Sequence, residues 1–267
     1  MSKFVVIVFP TEAKAYEATR ALQELHAEGS LTLYGMAVIA KDAEGHFGVK
    51  QTADEGPLGT GVGALVGGLI GLVGGPAGVL VGMTGGTLVG SMTDLFNYGV
   101  GEDFIWKISK TMLEAGKTAV VAEVTENWTT PLDARMEALG GTVMRTWRAD
   151  FEDEQIAKEL AARRAELQEL HAEYAQANAD AKARLKAKLD QARSDINQAE
   201  KRLQTRLETI ETELNAKIAE LEKQRAAAQA EAKQKINQRI AALRADFETR
   251  SDKLKQAWAL TKEALAA

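Results

Sequence analysis

"GTGVGALVGGLIGLVGGPAGVLVGMTGGTLVG", Gly59 to Gly90, crowds glycine into the most apolar run of the chain, among Val, Leu and Ile. Glycine costs a helix interior about 0.5–1 kcal/mol relative to alanine, so the crowding needs a reason. The spacing supplies one. Gly59, Gly63, Gly67, Gly71 and Gly75 stand four apart, and so do Gly74, Gly78, Gly82, Gly86 and Gly90. Residues four apart share one helix face, so each row is a stripe without side chains. Gly74-Gly75-Pro76 separates the rows as a turn, with Pro76 suited to a first helical position. The pattern predicts a glycine-zipper hairpin of two helices.

Close backbone approach through small residues is the packing mode of helices in lipid. No charge stands between Glu55 and Asp94, a run of 38 residues. Each arm would be about 26 Å long, at the lower limit for crossing a ~30 Å hydrocarbon core. Two readings follow: a hairpin inserted in a bilayer, or one buried in a protein assembly. The flanks Asp54, Glu55 and Asp94 are acidic, unlike the basic flanks of a cytoplasmic face. A phosphate-cradling loop is excluded, because it needs G-x-x-x-x-G-K-[ST] and no lysine lies between Lys50 and Lys107.

Outward from the hairpin, the flanks read as one α+β domain. Phe4–Phe9 is a short β-branched run ended by Pro10, which predicts a buried strand. Thr11 is placed to cap a helix with Ala15, Ala18, Leu22 and Leu25 at helical spacing, stopped by Gly29. Leu31–Lys41 and Phe47–Thr52 predict a strand hairpin about Asp42–Gly45. Phe104–Leu113 predicts a helix closed by Gly116, Thr118–Thr125 a strand, Pro131–Leu139 a helix and Thr142–Trp147 a last strand. Without residues 56–93 the order is strand–helix–strand–strand–helix–strand plus one helix and strand. That is the split β-α-β order of ferredoxin-like folds, so the hairpin is expected as an insertion that leaves and returns on one side.

Composition breaks near Asp150. Residues 1–150 hold all 23 glycines and all four prolines, with 11 Lys+Arg against 17 Asp+Glu. Residues 151–267 hold neither Gly nor Pro, with 22 Lys+Arg against 21 Asp+Glu. The domains are therefore read as 1–150 and 151–267. The second is helix-compatible throughout, and as one helix it would extend about 170 Å. Its apolar pattern begins as heptads at Leu160, Leu167, Tyr174 and Ala181. Then Ala181, Ala192, Leu203, Leu214, Ile236, Phe247 and Trp258 follow an eleven-residue step broken only by Arg225. Such a step keeps a seam nearly straight. Leu203, Leu207, Ile210, Leu214, Ile218 and Leu221 are its densest part and are expected to pack against another helix, with Glu208 and Glu213 at the solvated side. The arm is expected to be a self-associating coiled coil. The alternative is an antiparallel hairpin folded back near Asn178–Asp180 or Ala226–Ala232.

No chemistry-bearing constellation emerges. There is no cysteine, hence no disulfide framework. His26, His46 and His171 lack metal-ligand spacing and are expected at the surface. No nucleophile–base arrangement can be assigned, so no enzyme activity, cofactor or metal is expected. The net charge of −5 and the lack of a basic block argue against nucleic acid. The first apolar run is too short for a signal peptide, which points to a start in the cytoplasm.

The run from Gly56 to Leu95, with "DFIWKISKTMLEAGKTAVVAEVTENWTTPLD" and "MEALGGTVMR", resembles the bacterial family named domain of unknown function 1269, over about residues 1–150. Members are labelled as membrane or stress-associated proteins. The resemblance implies a ferredoxin-like body with a glycine-zipper insert, and no reaction or ligand.

The expected function is that of a non-enzymatic, membrane-associated homo-oligomer with a structural or stress-related role, on the cytoplasmic side of the bacterial inner membrane. In it the hairpin enters the bilayer and the arm joins subunits. The alternatives are a soluble cytoplasmic ring, shell or filament with hairpins at its centre, and a small membrane pore.

Overall fold

The computed structural model describes residues 2–41, 47–53, 58, 59, 62, 63, 65–67, 69, 70, 104, 107, 108, 116–148 and 151–266. They form two compact units, Met1–Asp150 with Glu213–Leu243, and Phe151–Thr212 with Arg244–Ala267.

The first unit is built on an antiparallel sheet of β1 (Lys3–Phe9), β2 (Leu31–Lys41), β3 (Phe47–Ala53), β4 (Thr118–Glu126) and β5 (Thr142–Trp147). The strand order is β3-β2-β4-β1-β5. Helix α1 (Glu12–Ala27) starts where expected, with the Thr11 hydroxyl accepting from the Lys14 amide. Helix α2 (Thr130–Ala138) joins β4 to β5. Because β1 and β2 each pair antiparallel with β4, they run parallel to one another with β4 between them.

The expected strands are all present, but their roles differ. The third strand was expected inside the split β-α-β core, and the last helix and strand as additions. Instead β3 pairs with β2 alone at the edge, while β4 is central and β5 closes the outer side of β1. The sequences explain the exchange. TAVVAEV in β4 is apolar on both faces and needs burial, whereas FGVKQTA in β3 carries Lys50 and Gln51, which suit an edge.

One sheet face, with Val5, Ile7, Val38, Val120 and Ala122, packs on Ala15, Ala18, Leu22 and Leu25 of α1 and on Leu132 and Met136 of α2. On the other face Phe4, Val6, Ile39, Ala119 and Val121 pack on Val62, Leu65, Val66 and Leu69 of the glycine-rich segment, and on Ile108. Helical conformation is present at residues 62, 63, 65–67, 69 and 70, and again at 104, 107 and 108. The end of the first glycine row, Gly71 and Gly75, the turn, and the second row, Gly74, Gly78, Gly82, Gly86 and Gly90, lie outside the described residues, as does His46.

The region 151–267 is three helices rather than one: α3 (Phe151–Gln176), α4 (Ala179–Ala227) and α5 (Ala230–Ala266). Both breaks fall where the alternative reading set its folds. Asn178 caps α4, its side-chain oxygen accepting from the Ala181 amide at 3.0 Å. In the second unit Ile156 and Leu160 of α3 pack with Ala199, Leu203 and Ile210 of α4 and Leu254 of α5. Asp153, 4% exposed, accepts from Arg206 at 2.6 Å and from Arg250 at 2.8 Å, so one carboxylate ties the three helices. Among the described residues no helix is long and apolar enough to cross a membrane.

Candidate functional site

Residues 213–243, the end of α4 and the start of α5, form a helical tip in the first unit. The tip has its own apolar core: Leu221, Ala228, Ala232, Ile236, Ile240 and Leu243, flanked by Leu214 and Ile218. Its hold on the sheet is largely polar.

The centre of that hold is Glu123 of β4, 1% exposed. It shares the sheet face of Val121, beyond the apolar half covered by the glycine-rich segment. Its carboxylate accepts from Ser2 Oγ at 2.7 Å, from Lys217 Nζ at 2.6 Å and from Arg148 at 3.1 Å. Lys217 also lies 2.6 Å from Glu213 and 5.0 Å from the centroid of the buried Tyr34 ring, within cation–π range. Arg148 grips Glu213 with both terminal nitrogens. Two acids and two bases thus form a closed network.

Burial alone would push both carboxyls up. Arg148 and Lys217 outweigh it, holding Glu123 below the ordinary carboxylate value against a smaller push from Glu213. Lys217 and Arg148 hold Glu213 well below it. Burial raises Tyr34 above the ordinary phenol range. At neutral pH the cluster is therefore two carboxylates and a neutral phenol.

Two further side chains fasten the tip where α1 runs into β2. Gln224 donates to the carbonyls of His26 at 2.5 Å and Leu31 at 2.7 Å, and accepts from the Thr32 hydroxyl at 2.8 Å. Arg239 donates to the carbonyls of Gly29 and Ser30 and to Asn127. The carbonyls taken by Arg239 lie just past the end of α1, in its connection to β2, whereas the His26 carbonyl taken by Gln224 belongs to the last turn of the helix. Gly29 holds a φ of +77°, and a Cβ there would meet Ala232 Cβ at 2.7 Å. Glycine is required on both counts.

His26 is not the free surface residue expected. Its Nδ1 accepts from the Leu33 amide at 3.1 Å, and its Nε2 lies 3.4 Å from Glu220. Burial pulls its pKa below 6.5; Glu220 opposes this, while Lys223 and Arg239 reinforce it.

The expected packing residues separate into three groups. Gly59 lies on the sheet, its Cα 3.6 Å from where a Cβ on Gly35 would stand, and Gly63 and Gly67 are half-buried. Leu203 and Ile210 are buried in the second unit with Leu207 beside them, and Leu214, Ile218 and Leu221 belong to the tip core. The described part of the seam is therefore met by helices of the same chain. Glu213 is a correction: expected at the solvated side, its side chain is 13% exposed in the ion cluster, whereas Glu208 is exposed.

Sequence reading missed Glu123, Lys217, Gln224, Arg239 and Arg148. One signal was visible, the charge of Glu123 inside the apolar run TAVVAEV, which a buried strand tolerates only with partners. Among the described residues no group of three or more His, Asp or Glu is placed to hold a metal ion.

Residues 60–161 match the family model described as protein of unknown function (DUF1269). Over this segment, less than half of the chain, the sequence is similar to that family. The DUF1269 match takes in Glu123 and Arg148, and leaves out Ser2, Tyr34 and the tip. Against the expected span of about 1–150, it begins within the glycine-rich run and reaches into α3. No curated protein and no solved structure matches the chain.

Proposed function

We propose that this chain is a non-enzymatic, self-associating structural protein. In this reading a ferredoxin-like sheet anchors the glycine-rich segment, whose remaining glycine rows pack copies together. The parallel pair β1 and β2, split by β4 and flanked by β5 with α1 and α2 on one face, supports the ferredoxin-like description. Strand β3 and the glycine-rich segment are then one insertion between β2 and β4.

The burial of Val62, Leu65, Val66 and Leu69 against the sheet, each 3% exposed or less, carries the choice of a protein environment over lipid. Phe104 and Ile108 come back to the same core. Between Ile70 and Asp94 only 23 residues remain, whereas two bilayer crossings need about 40. That length favours packing of Gly74, Gly78, Gly82, Gly86 and Gly90 against other helices.

Fractionation without detergent, followed by mass photometry of the full chain and of Gly82→Leu, tests the proposal. The expected result is a discrete oligomer away from the membrane fraction, which Gly82→Leu disperses. Recovery only with the bilayer, or an assembly indifferent to Gly82→Leu, would overturn it.

A further inference from the structure

The ion cluster and the root of the glycine-rich segment meet at one cross-strand pair. Gly35 of β2 is the register partner of Glu123 of β4. A Cβ on Gly35 would stand 3.4 Å from the Leu58 carbonyl oxygen and from Val62 Cγ2, so the first turn of the segment rests on bare backbone there. Glu123 holds Lys217.

The link is tightened by a bulge. The β2–β4 register shifts between Leu33 and Gly35, leaving Tyr34 without a register partner in β4. An extra residue of this kind re-aims its neighbours. Here two consecutive residues serve one face: Tyr34 lies under the Lys217 ammonium and accepts from Thr125 at 3.2 Å, and Gly35 seats the glycine-rich root.

The two coverings of that face differ in kind. The root is held by apolar side chains. The tip is fastened by Lys217, Glu213, Gln224 and Arg239 while its apolar residues pack on one another. Lifting the tip uncovers charges, amides and carbonyls that water can take over, so the tip is the element that can open locally without global unfolding.

We infer that residues 213–243 are a latch whose closure on Glu123 and Tyr34 sets the β2 bulge, so that opening it loosens the root of the glycine-rich segment. The effect on assembly rests on the proposed self-association; the effect on the root does not.

Hydrogen exchange on the full chain, read by mass spectrometry, tests this in the wild type, Lys217→Met, Lys217→Arg and, as a control, Arg206→Met, which breaks a buried ion pair of the second unit. Lys217→Met should speed exchange at least tenfold in peptides covering 31–37 and 58–70, leaving 157–170 unchanged. Lys217→Arg should restore part of the protection, and Arg206→Met should leave 58–70 at the wild-type rate. If Lys217→Met does not fold, Gln224→Ala opens the latch more mildly and is read the same way. Faster exchange in 213–243 with 58–70 unchanged would overturn the inference. Faster exchange in 58–70 with an unchanged oligomer would sustain the latch and count against the proposed role of the glycine rows.

Discussion

The ammonium of Lys217 lies 2.6 Å from the carboxylate of Glu123, 94 positions earlier in the chain, with both side chains almost wholly withdrawn from solvent. Removing one member of a buried, hydrogen-bonded ion pair strands its partner, at a cost of about 3–5 kcal/mol. Lys217→Met should therefore lower unfolding free energy by that order in chemical denaturation. Adding Glu123→Gln should cost less than the sum of the two single changes, since without Lys217 two carboxylates share Arg148 and the second change removes one of them. Additive effects would mean the pair is not coupled.

Glu208 and Glu213 occupy nearby places on α4 and should respond in opposite ways to charge reversal. Glu208→Lys is expected to cost under about 1 kcal/mol, as for exposed charges. Glu213→Lys sets a third cation beside Arg148 and Lys217 and should be strongly destabilising. Equal melting temperatures for the two variants would exclude Glu213 from the cluster.

His26 gives the fold a dependence on pH near neutrality. Its folded pKa lies below the ordinary 6.5, so as pH falls through 6.5 the unfolded chain takes up the proton first. Stability present above that value is then lost. The Leu33 amide, which donates to Nδ1, also needs the neutral ring. Glu123 and Glu213 act in the same direction only in more acid solution, below the ordinary carboxylate range. Stability measured from pH 8 to 5 should decline below about 6.5, and His26→Gln should flatten that decline. An unchanged slope in the variant would assign the dependence to another group.

The sheet's strands were legible because each carries a local signature: β-branched runs, closing Gly or Pro, and the Thr11 cap. The pairing of those strands was not, because nothing local tells an edge strand such as β3 from a central one such as β4 until the helices covering them are known. In the arm, the eleven-residue row was legible, and so was its one mismatch. Arg225 stands two residues before α4 ends and bonds to Asn237 across the turn, so the break in pattern marked the fold-back. The site was hardest to read. Lys217, Gln224 and Arg239 look like solvated helix residues, since their partners lie about 90 to 210 positions away, and single-chain periodicity carries no information at that range.

Gly35 and Gly141 should rank differently toward alanine. A Cβ on Gly141 would fall 2.5 Å from Phe9 Cε1 and 2.9 Å from Ile7 Cγ2, whereas contacts at Gly35 begin at 3.4 Å. Overpacking of the first kind typically costs about 1–3 kcal/mol. Gly141→Ala should therefore lower the melting temperature measurably more than Gly35→Ala. Gly35→Val, which adds bulk toward Leu58 and Val62, should exceed the alanine change at the same site. A reversed ranking would mean that β1 and β5 yield more readily than the seat of the glycine-rich root.

The composition boundary at Asp150 suggests a fragment 1–150, and the structure predicts what that fragment lacks. Without residues 213–243, Glu123 and Arg148 keep each other but lose Lys217 and Glu213. The carbonyls of His26, Gly29, Ser30 and Leu31 lose Gln224 and Arg239. Carbonyls and charges opened to water are re-solvated and Glu123 keeps Arg148, so the loss is that of the tip's hydrogen bonds taken together, each about 0.5–1.5 kcal/mol net and more for those to charged groups. The fragment should melt well below the first unit of the full chain. A separately made hairpin 213–243 added in trans should raise its melting temperature in a concentration-dependent way, as for any ligand binding the folded state alone. The same hairpin carrying Lys217→Met should have little effect. A fragment 1–150 as stable as the full chain, and indifferent to the hairpin, would show that the tip contributes nothing to the sheet it covers.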